Sequence, residues 1–103
     1  MSEQFLYRFT PGARPELATN PDAWTAEDEQ IADAHVAYLR AGAERGTVVM
    51  AGRSQDGIGP AIVILEVANR DEAEAFMNGD PFVADGLFGA DLHPFRVAIA
   101  REG

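Results

Sequence analysis

The sequence predicts one α+β domain with its elements in the order β-α-β-β-α-β, and three observations predict it. Four short segments carry strand patterning, at residues 4–9, 47–52, 61–67 and 92–100. Two longer stretches place apolar residues three and four apart behind a capping residue, Thr25 in one and Asn69 in the other. Turn-forming pairs, Asp56-Gly57 and Asp80-Pro81 among them, separate these segments.

The first strand alternates Phe5, Tyr7 and Phe9 with Leu6 and Arg8. A polar, proline-rich loop insertion from Thr10 to Trp24 follows, long enough to serve as a lid or to be a plain insertion. Thr25 caps the first helix, and Glu27, Asp28 and Glu29 suit the positive end of its dipole. The helix should run to about Arg45 and stop at Gly46, a favoured residue just past a helix end. Ile31, His35, Tyr38, Leu39 and Gly42 share one face of it, so His35 points toward the core side.

Thr47–Gly52 and Ala61–Val67 form the middle strands around a hairpin loop at 54–59. Asn69 opens a second helix with Ala73, Phe76 and Met77 on its inner side. After the Asp80-Pro81 turn, Leu92–Ala100 supplies the last strand. This order is the ferredoxin-like arrangement, with both helices on one face of an antiparallel sheet. A sheet wetted on its other face should alternate apolar and polar residues. Val48-Val49-Met50-Ala51 and Ile62-Val63-Ile64-Leu65 are apolar on both sides, which predicts a homodimer through the second sheet face.

Composition sets the remaining bounds. The chain has 103 residues, 47% of them hydrophobic and 24% charged, as in an ordinary globular domain. Its net charge of −9 opposes phosphate backbones and anionic surfaces, so neither nucleic acid nor membrane is an expected partner. No cysteine is present, which removes disulfides, thiolate chemistry and cysteine-type zinc sites. No signal-peptide pattern or bilayer-length apolar run occurs, and the expected location is cytoplasmic. Two histidines without a carboxylate cluster offer no dedicated metal site, and Gly57-Ile58-Gly59 is too short for a phosphate loop, so no cofactor is expected.

His35 and Asp80 each admit two readings. His35 is either a core histidine satisfied by one hydrogen bond or a base; Asp80 before Pro81 is a helix cap in form, whatever else it does. A carboxylate bonded to one imidazole nitrogen would fix the tautomer and leave the other nitrogen as a base. Arg53, at the end of the second strand, could clamp an anion, and Tyr38 and Tyr7 could line a substrate pocket or belong to the aromatic core. His93, beside Pro94, reads as structural.

Several stretches, in their order and spacing, resemble the YciI-like (YCII-related) family. They are His35-Val36-Ala37-Tyr38-Leu39, Gly46-Thr47-Val48-Val49-Met50-Ala51-Gly52, Glu72-Ala73, Asp80-Pro81-Phe82-Val83 and Gly86-Leu87. Arg53 and Leu92-His93-Pro94-Phe95-Arg96 look like one branch of it. The resemblance implies a dimeric α+β barrel and a site built from His35 and Asp80. A relative is a dehydrochlorinase, and the wider superfamily holds muconolactone isomerases and small monooxygenases. The reading that follows is a cofactor-independent lyase or isomerase, or dehydrochlorinase-like proton transfer on a small, even aromatic, substrate. The alternative is a non-catalytic small-ligand-binding or accessory protein. A cofactor-free oxygenase ranks third, since no residue specifically marks oxygen chemistry.

Overall fold

The structure, a computed structural model, describes residues 2–102. Its elements are β1 (Glu3–Pro11), α1 (Ala26–Glu44), β2 (Val48–Arg53), β3 (Ala61–Val67), α2 (Arg70–Gly79), the one-turn α3 (Pro81–Ala84) and β4 (Phe88–Pro94). Every neighbouring pair in the four-stranded sheet is antiparallel, in the order β2-β3-β1-β4. The expected α+β, ferredoxin-like architecture is therefore present.

The strand period of two explains which residues reach the helices. Phe5 and Tyr7 pair with Leu65 and Val63 on one face, joined there by Val48 and Val67. These six form one buried cluster with Ala73 and Phe76 of α2. Gly42 lets α1 approach closely, because a Cβ there would lie 2.7 Å from Val48 Cγ2 and 3.0 Å from Phe76 Cζ. On the opposite face Leu6 pairs with Ile64, and Ile64 with Met50. Ile64 is buried there but stands outside the helix-side cluster, while Val49 and Met50 of the outer strand remain 46% and 49% exposed.

The helix boundaries follow from their caps. Thr25 Oγ1 accepts the Asp28 N–H and Asp28 returns the bond to the Thr25 N–H, a reciprocal capping box. At the other end Gly46 takes φ 86°, a conformation that only glycine adopts without steric cost. The predicted face of α1 is the inward one, with Gly42 buried and Ile31, His35, Tyr38 and Leu39 half-buried.

The last strand departs from expectation. It begins at Phe88 and ends at Pro94, whereas the sequence pattern placed it at 92–100. Its length is set by β1, whose residues 5–11 pair with 94–88. Gly89, Ala90 and Asp91 have low strand propensity and are recruited by that pairing. Beyond Pro94 β1 has too few residues left to pair with, and Ile99 is 94% exposed.

The linker between β1 and α1 contains two single 3₁₀ turns, Pro15–Ala18 and Pro21–Ala23, and is fastened at three places. Leu17 is buried, the Trp24 indole N–H donates to the Leu17 carbonyl, and the Arg14 guanidinium donates to Asp28. The hydrogen bond from Arg14, together with those from Thr25, lowers the Asp28 carboxyl to about 2. A carboxyl held below its unfolded value near ~3.9 stabilises the fold fully above that pH and loses the contribution as pH falls toward 2. We therefore expect Arg14→Gln to lower the melting temperature at neutral pH, with the difference from the native protein shrinking steadily below pH ~4. A difference that stays constant from pH 7 to pH 2 in thermal melts would contradict this account.

Candidate functional site

The site is assembled around Asp80, which ends α2 and caps α3. With Pro81 at the first helical position, the Asp80 backbone is extended at φ −61° and ψ 125°, and its Oδ1 accepts the Phe82 N–H at 3.0 Å. The side chain is completely buried. Two further elements bring donors to it. From β1, the Tyr7 hydroxyl donates to Oδ2 at 2.8 Å; from α1, His35 Nδ1 lies 2.7 Å from Oδ1.

All three partners of the carboxyl can act as donors, so Asp80 can be satisfied as a carboxylate without a proton of its own. Bonding a carboxylate through Nδ1 assigns the ring proton to that nitrogen, and a neutral His35 then carries its lone pair on Nε2. Nε2 has no hydrogen-bond partner among the described residues, and no buried side-chain nitrogen or oxygen there lacks one. It therefore meets solvent, consistent with a His35 side chain that is 13% exposed. Tyr7 is fixed as a donor: burial first, and the charge of Asp80 second, push its hydroxyl far above the ordinary tyrosine value.

Aromatic rings hold the imidazole in place. Phe82 stacks on it with centroids 3.9 Å apart and planes 18° from parallel, and Phe9 meets its edge at 5.6 Å. Phe88 and Trp24 support Phe82 at 5.0 and 6.0 Å. A ring face on one side and a ring edge on the other leave the imidazole little room to turn. The group can thus orient an imidazole and expose one of its nitrogens, with a buried carboxyl on the other.

The other sequence candidates are placed differently. Tyr7 is buried and committed to Asp80, which makes it a support of the site and not a lining of it. Tyr38, one turn along α1 from His35, donates to the Phe76 carbonyl at 2.8 Å; burial, followed by the charge of Asp80, raises its hydroxyl. Arg53 is exposed opposite Ala61 on the outer strand, two strands from β1 or roughly 10 Å across the sheet, and forms no ion pair among the described residues. His93 is exposed opposite Leu6. A cleft of ≈ 590 Å³ at the N-terminal end of β1, bordered by Gln4, Glu66, Arg70 and Arg96, is separate from the His35–Asp80 group.

Sequence reasoning missed the aromatic surround and the donor role of Tyr7. The signals were present: period two puts Tyr7 and Phe9 on the helix side, and a cap at Asp80 places Phe82 at the second position of α3. The hydroxyl of Tyr7 should matter to stability, because Tyr7→Phe strips a donor from a carboxylate that water does not reach. The expected cost is about 1–3 kcal/mol in denaturant unfolding. A change below ~0.5 kcal/mol would show that Asp80 does not depend on Tyr7.

Comparison with known proteins agrees with this architecture. Curated proteins give no match to the sequence. Among solved structures, the chain is similar to 5-chloro-2-hydroxyhydroquinone dehydrochlorinase (TftG) from Burkholderia phenoliruptrix AC1100, determined in complex with 2,5-dihydroxybenzoquinone. The superposition has a TM-score of 0.63 and 22% identity, covering 90% of this chain and 93% of that one, and it establishes a shared fold. The sequence profile of the YCII-related domain matches residues 14–93, which takes in α1, the Asp80 cap and most of β4 and starts inside the linker. The chain belongs to the YCII-related domain family.

Proposed function

We propose that the protein is a small cofactor-independent enzyme that moves a proton with His35, acting as a homodimer whose uncovered sheet faces meet. The observation that carries this reading is the 2.7 Å contact between His35 Nδ1 and Asp80, with Nε2 open to solvent. Nε2 takes a proton from an acidic C–H or O–H of the substrate, and Asp80 and Phe82 hold the imidazolium until the proton is returned or lost to water. The reaction class is a lyase or isomerase step. Elimination of HCl from a hydroxylated, chlorinated ring has this form: one proton is taken, chloride leaves and the ring gains a double bond. The dehydrochlorinase of similar fold supports including that chemistry. The aromatic rings around His35 favour a flat, unsaturated substrate over a charged aliphatic one.

The buried Asp80 and its cap also support a second reading, in which the three-way bonding is structural and the domain only binds a small ligand. Chloride release from 5-chloro-2-hydroxyhydroquinone, and a panel of related chlorinated and enolisable compounds, separates the two. For a compound that is turned over, His35→Ala should lower kcat on the order of 10²–10⁴-fold while leaving the fold intact. Equal turnover by native and His35→Ala protein would remove His35 from the chemistry. Binding of 2,5-dihydroxybenzoquinone without turnover of any compound, and unchanged in the variant, would favour the ligand-binding reading.

A further inference from the structure

The segment after β4 has a strand pattern that its own sheet does not use. Phe95, Val97 and Ile99 alternate with Arg96, Ala98 and Ala100, yet residues 95–102 form no strand or helix. The base of this tail is held extended: the Phe95 N–H donates to the Gln4 carbonyl at 3.0 Å and the Val97 N–H to Gln4 Oε1 at 2.8 Å. Past Val97 the described residues give it no further hydrogen-bond partner, and Ile99 is left 94% exposed. An isoleucine in that state on a directed, extended segment is apolar surface without a cover.

The sheet offers the matching edge. The outer strand β2 is paired only to β3, so the backbone row on its other side is open. Most exposed edges are protected by lysine, proline or inward charge. β2 has none of these before its last residue, Arg53, and it presents Val49 and Met50 half-exposed. The sheet order places β2 at one edge and β4 at the other. In a two-fold dimer closed edge to edge, the chain that leaves β4 of one copy runs beside β2 of the other.

We propose that residues 95–101 add as a strand to the open β2 edge of a second copy, so that the two protomers exchange tails. This inference rests on the homodimer of the preceding section and specifies what joins it. The alternation then has a purpose: Phe95, Val97 and Ile99 fall on one face of the added strand and cover apolar surface, and the backbone of β2 gains its missing partners.

The test uses Ile99→Cys in the full chain, carrying a nitroxide on the sole thiol. It is mixed with ¹⁵N-labelled native protein, so that any broadening comes from the other copy. Sedimentation velocity first establishes whether the native chain is a dimer; a monomer overturns both the dimer reading and this one. In a dimer, we expect amide signals of residues 48–53 to broaden most, and a chain ending at Val97 to dissociate at a concentration at least roughly tenfold higher. Broadening strongest elsewhere, or a dimer equally stable without residues 98–103, would overturn tail exchange while leaving the dimer intact.

Discussion

Asp80 is a carboxylate with no access to water, and such a group is tolerated only where the surrounding protein supplies its hydrogen bonds. Here the three donors come from three separate elements: Tyr7 from β1, His35 from α1 and the Phe82 backbone from α3. The position of α1 over the sheet, the angle at which α2 gives way to α3, and the depth of β1 in the core must all agree for this one side chain to be satisfied. Hydrogen bonding thus ties the orientation of His35 to the register of the sheet, so the imidazole is fixed by the fold as a whole and not by a flexible loop.

The same arrangement explains why a short helix of four residues, α3, exists at all. Asp80 and Pro81 start it, Gly86 at φ 77° lets the chain leave it, and between them Phe82 is delivered to the face of His35. Capping and function are therefore compatible uses of one residue. Oδ1 serves both the cap and the histidine, while Oδ2 is left to Tyr7. The linker contributes from the other side. Trp24, anchored through Leu17, leans on Phe82 and Phe88 and completes the aromatic wall.

Much of this was legible in the sequence, and the reasons differ by element. Helices α1 and α2 declared themselves because capping residues and apolar spacing are local signals, and β3 because its apolar run is bounded by turns. The ends of β4 were not legible, since Gly89-Ala90-Asp91 becomes a strand only through pairing with β1, a partner some eighty residues away. His35 and Asp80 could be named from their places on helix face and cap, but their contact depends on how α1 and α3 meet. The role assigned to Tyr7 changed for the same reason: period two shows that it faces inward, not that its hydroxyl ends at Asp80. Arg53 was named as an anion clamp from its place at the end of the second strand, yet the strand order puts two strands between β2 and β4, on whose side of the sheet Phe82 and Phe88 lie.

The account depends most on the assignment of the His35 proton to Nδ1 with Nε2 free. Long-range ¹H–¹⁵N correlation spectra of the ring, recorded at alkaline pH where the imidazole is neutral, read this directly. The arrangement around Asp80 predicts a protonated Nδ1 and an unprotonated Nε2, with Asp80→Ala losing that preference. A native ring carrying its proton on Nε2, or one whose tautomer is the same in Asp80→Ala, would contradict the claim that Asp80 orients His35.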